Sequence, residues 1–145
     1  MTAYLHGSIL NTDQYTLDEA SNISVSATSF ANVDGSLALQ LSIDGKANTG
    51  QALVSWHGNV AVPSGQKGYF NLSVNGTLHA ANDGIIFSPE GTLGVSFTRL
   101  VTGLTVGTLN TINLQAKVTA GTMTIYSGAG TGGLDTHGQF WGLIL

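Results

Sequence analysis

Short apolar runs, broken by glycine, asparagine, aspartate and proline, follow one another from about residue 23 to the end of the chain. Where apolar residues alternate with small or polar ones, a period of two predicts strands with one buried face. Residues 36–43 are the clearest case, with Leu37, Leu39, Leu41 and Ile43 on one side. Residues 52–56 predict a second strand, and Gly58-Asn59 reads as a turn before residues 60–62. Residues 69–74, Asn75-Gly76 and residues 77–80 predict a hairpin, since Asn-Gly tolerates the positive φ that a type I′ turn requires at both central positions. Residues 85–87 follow. In the long run 93–101, Leu93, Val95, Phe97 and Val101 share a face that also includes Arg99. Residues 112–118 turn Ile112, Leu114, Ala116 and Val118 inward and Asn113, Gln115 and Lys117 outward, and residues 123–126 and 140–145 complete the series.

Strands at this spacing predict an all-β fold, an antiparallel two-sheet jelly-roll sandwich of about eight strands. The sandwich is expected over residues 23–145, preceded by a short N-terminal arm over residues 1–22. The best helical segment is residues 13–20, about two turns at most.

The last strand differs from the others. Phe140, Gly142 and Ile144 would lie on one face and Trp141, Leu143 and Leu145 on the other, so both faces are apolar. A sandwich strand normally turns only one face to the core. The second face therefore asks for cover, either from a neighbouring subunit or from the chain's own N-terminal arm.

Composition points the same way. The 145 residues are 42% hydrophobic but only 8% charged, four basic and eight acidic side chains, for a net charge of −4. Soluble domains average about 25% charged, so much of the surface is expected to be neutral or hidden between subunits. Four dispersed basic residues give no footprint for nucleic acid or for an anionic membrane surface. The lack of cysteine removes disulfides and thiolate chemistry and leaves the redox compartment undetermined. Residues 1–10 carry no basic segment followed by an apolar one, so they do not read as a secretory signal.

Residues that could carry chemistry are scattered. Gly128-Ala-Gly-Thr-Gly-Gly133 fits G-x-G-x-x-G, but a dinucleotide site needs a helix at its end and an acidic residue about 20 positions on, and only twelve residues remain. His6, His57, His79 and His137 have no partner at metal-ligand spacing. Asp34, Asp44 and Asp83 each precede glycine, where aspartate serves turns. No G-x-S-x-G elbow is present. No catalytic residue, metal ligand or cofactor is expected. Trp56, beside His57 at a strand end, is the candidate exposed aromatic for a ligand such as a sugar.

One stretch carries a family likeness. Phe97-Thr-Arg99-Leu-Val101-Thr-Gly103-Leu-Thr-Val-Gly107 is followed by Ile112-Asn-Leu-Gln115-Ala-Lys117-Val-Thr-Ala-Gly121-Thr122, a glycine loop and an apolar terminal strand. This string resembles the trimeric, tumour-necrosis-factor-like jelly-roll structural proteins of tailed phages, which occur as capsid decoration (cement) proteins and as fibre heads. The likeness spans about residues 90–145, and its wholly apolar ending departs from the family pattern. It implies a non-enzymatic virion protein, made in the host cytoplasm, whose partners are itself, as a homotrimer, and the major capsid protein. Binding only the assembled shell, such a protein would stabilise it by mass action. Residues 1–22 are too short for a triple-stranded shaft, which favours decoration over a receptor-binding fibre head; a carbohydrate-binding, lectin-like module is the further alternative. On this reading the subunit interface is expected at Phe97, Arg99, Phe140, Trp141, Leu143 and Leu145.

Overall fold

The computed structural model describes residues 12–16, 22–33, 38–42, 50–128 and 137–145. These form two antiparallel sheets around one core, as the apolar periodicity predicts. In the first sheet, β5 (Ala52–Val62) pairs along its whole length with β9 (Gly91–Val101). The other edge of β5 is shared end to end by β12 (Gln139–Ile144) and β11 (Met123–Ile125), which pair in turn with β1 (Thr12–Thr16) and β2 (Ile23–Val25). In the second sheet, β10 (Leu109–Val118) lies between β6 (Gly68–Val74) and the collinear pair β3 (Ala31–Asn32) and β4 (Ala38–Ser42). The far edge of β6 takes β7 (Thr77–Leu78) and β8 (Ile86–Ser88).

The interior is built by strict alternation. Ile112, Leu114, Ala116 and Val118 of β10 are completely buried in one core cluster with Phe70 of the neighbouring strand β6 and with Val54, Trp56, Val60 and Phe140 of the first sheet. The Asn75-Gly76 hairpin forms as expected, with φ of 48° and 83°.

Three expectations change. Gly58-Asn59 is not a turn: β5 runs through it, and Gly58 pairs with Val95 of β9. The reason lies in the core. A Cβ on Gly58 would stand 2.6 Å from Trp56 Cζ2, so the missing side chain makes room for the indole. Trp56 itself is not an exposed ring. It is 0% exposed and stacks on Phe70 at 6.5 Å between centroids. Finally, Thr12–Thr16, read as arm or helix, is a strand that extends the first sheet beyond β12. Residues 1–11 and 17–21, with His6, lie outside the described residues, as do Asp34, Asp44 and 129–136 of the glycine loop.

Candidate functional site

The outer face of the first sheet is built mostly of small, polar and aliphatic residues. By register, Leu53, Ser55, His57, Asn59 and Ala61 of β5 point outward, flanked by Thr92, Gly94, Ser96, Thr98 and Leu100 of β9 and by Gln139, Trp141 and Leu143 of β12. Gln14, Ser24 and Thr124 extend that face across β1, β2 and β11. Among the described residues it carries no Asp, Glu, Lys or Arg.

The face has an apolar end and a polar end. At the first, Leu143, Leu53 and Leu100 stand directly opposite one another in a row across three strands, with Trp141 in the next row and Leu145 just beyond. Leu100 and Leu145 are exposed; Trp141, Leu143 and Leu53 are half-buried.

At the polar end, a cleft of about 490 Å³ is lined by His57, Gly58, Asn59, Gly94, Val95, Ser96 and His137. Two local facts produce it. Gly94 leaves bare backbone between Thr92 and Ser96 on the outer face, opposite Asn59. The strand beside β5 is interrupted: Tyr126 donates its N–H to the Asn59 carbonyl at 2.9 Å, and pairing resumes only at Gln139, opposite His57. His137 sits at that break, packed so tightly on Gly128 that a Cβ there would lie 2.5 Å from the imidazole Cε1. The cleft presents two imidazoles, a carboxamide and a hydroxyl, all able to hydrogen-bond. No cluster of three metal-ligating side chains occurs among the described residues.

The outer face of the second sheet is different. One cross-strand row joins Phe87 of β8, Tyr69 of β6 and Lys117 of β10. Lys117 Nζ lies 4.7 Å from the centroid of Phe30 and 4.9 Å from that of Tyr69, and donates to the Asn82 carbonyl at 2.7 Å. Lys67 Nζ stands 5.8 Å from the Phe87 ring. Two of the chain's basic side chains are thus held over aromatic faces.

The residues expected at a subunit interface divide into two groups. Phe140 and Phe97 are core residues inside the sandwich. Trp141, Leu143 and Leu145 are on or beside the outer face, and Arg99 is exposed at the β9 edge, close enough to His79 to act on it electrostatically. Burial, and secondarily the Arg99 charge, lower the His79 pKa. Glu90 accepts hydrogen bonds from the Gly65 N–H and the Ser64 hydroxyl, which lower its pKa and tie the turn after β5 to the start of β9. Comparison with protein-family models gives no match, and comparison with curated proteins gives no relative.

Proposed function

We propose that this chain is a non-enzymatic structural subunit that assembles through the outer face of its first sheet. The fold we assign is a jelly roll. Joined across their interruptions, β1/β2, β12/β11, β5 and β9 make one four-stranded layer and β3/β4, β10, β6 and β7/β8 the other, and this order supports the assignment. The observation that carries the reading is this face, free of Asp, Glu, Lys and Arg among the described residues, with its Leu143–Leu53–Leu100 row. A monomer would leave that face in water, whereas subunit interfaces deplete charge and bury aromatic and aliphatic groups at their centre. The resemblance to trimeric phage proteins supplies the finer proposal: a homotrimer that decorates and stabilises a phage head shell, with the major capsid protein as partner.

Light scattering tests it. The wild type is expected at three times 14.9 kDa, or a multiple of that mass. Leu143→Asp, which places a charge in the row, is expected to abolish the threefold while the chain stays folded by circular dichroism. A wild-type mass that contains no factor of three overturns the trimer.

The cleft favours a second reading, a carbohydrate-binding module. Its hydrogen-bonding side chains suit the hydroxyls of a sugar, although Trp56 offers no platform there. Glycan-array binding that is lost in Asn59→Ala and retained in Leu143→Asp supports it; no binding to any glycan removes it.

A further inference from the structure

We propose that the open edge of β9 pairs, antiparallel and about a twofold axis, with β9 of a second copy, fusing the first sheets of the two molecules. β9 bonds β5 through eleven consecutive residue pairs without a bulge, and no strand among the described residues occupies its other edge. That edge is a row of backbone donors and acceptors, and the group that matches such a row is another extended strand.

Of the devices that normally blunt an edge, β9 itself carries one, a charge at an inward position. β9 has no proline and a single charge, Arg99, and its eleven residues compare with about five or six in an ordinary strand. Two residues of β9, Leu93 and Leu100, are large exposed apolar side chains, one on each face of the strand.

A second copy fits this edge because every molecule presents the same strand at the same length. The register that leaves no residue unpaired centres the axis on Ser96, opposing Val95 to Phe97 and Gly94 to Thr98. Inward residues then meet inward residues, so the two interiors align. Arg99 falls opposite Leu93, which gives its aliphatic stem an apolar neighbour and keeps the two guanidinium groups apart.

This contact uses the edge of β9 and the proposed threefold uses the outer face, on which Ser96 and Leu100 of the same strand also lie. Together a twofold and a threefold join two trimers into a hexamer.

Ser96 is exposed, so Ser96→Glu and Ser96→Lys keep the fold while setting like charges on the axis. Sedimentation of the wild type is expected to give an even number of copies, two or six, with every β9 amide protected from hydrogen exchange. Each variant is expected to dimerise about tenfold more weakly or worse, to protect only the alternate amides that face β5, and to regain pairing when the two are mixed. Leu143→Asp separates the two contacts by removing the factor of three and leaving the factor of two. A wild type of one or three copies with alternate β9 amides exchanging freely overturns the proposal, as does full protection in a monomer that carries a foreign segment on the edge.

Discussion

Trp56 and Gly58 occupy the same inward face of β5, and the indole fills the space that a side chain on residue 58 would take, with Cζ2 2.6 Å and Cη2 2.9 Å from the position of a Cβ. Alanine at this position sets two effects against each other. Replacing glycine inside a strand relieves an entropic cost of about 0.5–1 kcal/mol. Forcing a methyl into a packed core costs about 1–3 kcal/mol. Trp56 is fully buried, so it cannot swing into solvent, and the second effect is the larger. Gly58→Ala is expected to lower stability in urea denaturation at an unchanged m-value; a gain in stability would mean that the ring can move.

Asn110 is a buried polar side chain with every bond made. Its Oδ1 accepts from the Thr105 N–H at 3.0 Å and from Asn75 Nδ2 at 2.9 Å, and its Nδ2 donates to the carbonyls of Thr105 and Thr108. It therefore ties the turn before β10 to the Asn75-Gly76 hairpin. Asn110→Ala strands these partners and is expected to cost about 1–3 kcal/mol. Asn110→Asp keeps the acceptor, loses the donor and adds a buried charge, so it should cost at least as much. Chemical denaturation of the two variants side by side checks that order.

The strands were legible wherever alternation was clean. β10 is the model case, because nothing local competes with its period of two. β5 was harder to read, since Gly58-Asn59 looks like turn chemistry, and only the packing of Trp56 explains a glycine in mid-strand. A signal was nonetheless present: Val54, Trp56 and Val60 have the same parity, which puts the tryptophan inside with its neighbours. The cleft had no such signal. His57, Ser96 and His137 come from three distant segments, and only the registers of β5 with β9 and β12 bring them together. The terminal strand was read in outline from its two apolar faces, but which of its residues are core and which are outer face follows from the sheet it joins.

Acid should weaken this protein in two separate windows. The His79 pKa is lowered by burial first and by Arg99 second, so near pH 6 the unfolded chain binds more protons than the folded one. Stability is then complete above the unfolded value of about 6.5 and declines as pH falls below it. Glu90 is also depressed, by its bonds to Gly65 and Ser64, and its contribution is lost only as pH falls through the carboxylate range. Thermal melts at pH 7.5 and 5.5 are expected to differ for the wild type and to converge for His79→Asn. Arg99→Gln should preserve most of the difference, because burial is the larger cause; loss of the whole effect in that variant would reverse the assignment.

Lys117 reads in the sequence as an ordinary outward lysine, yet its ammonium is held between the Phe30 and Tyr69 rings and capped by the Asn82 carbonyl. Three elements meet at this one charge: the segment before β3, strand β6 and the stretch between β7 and β8. Asn82 has a φ of 55°, a conformation uncommon outside glycine, so the bond that holds its carbonyl helps fix a turn that would otherwise relax. A cation over an aromatic face is worth about 0.5–1 kcal/mol at an exposed site, and a hydrogen bond to a charged donor about 1.5–3 kcal/mol. Lys117→Met keeps the stem and deletes the charge. It is expected to lose about 1–3 kcal/mol and to speed amide exchange around residues 79–85, where the Ile85 N–H bonds the Phe70 carbonyl. Lys117→Arg retains the charge and can stack on both rings, so it should recover most of the stability. If methionine and arginine behave alike, the charge is not what holds this side of the sandwich together, and the aliphatic stem is.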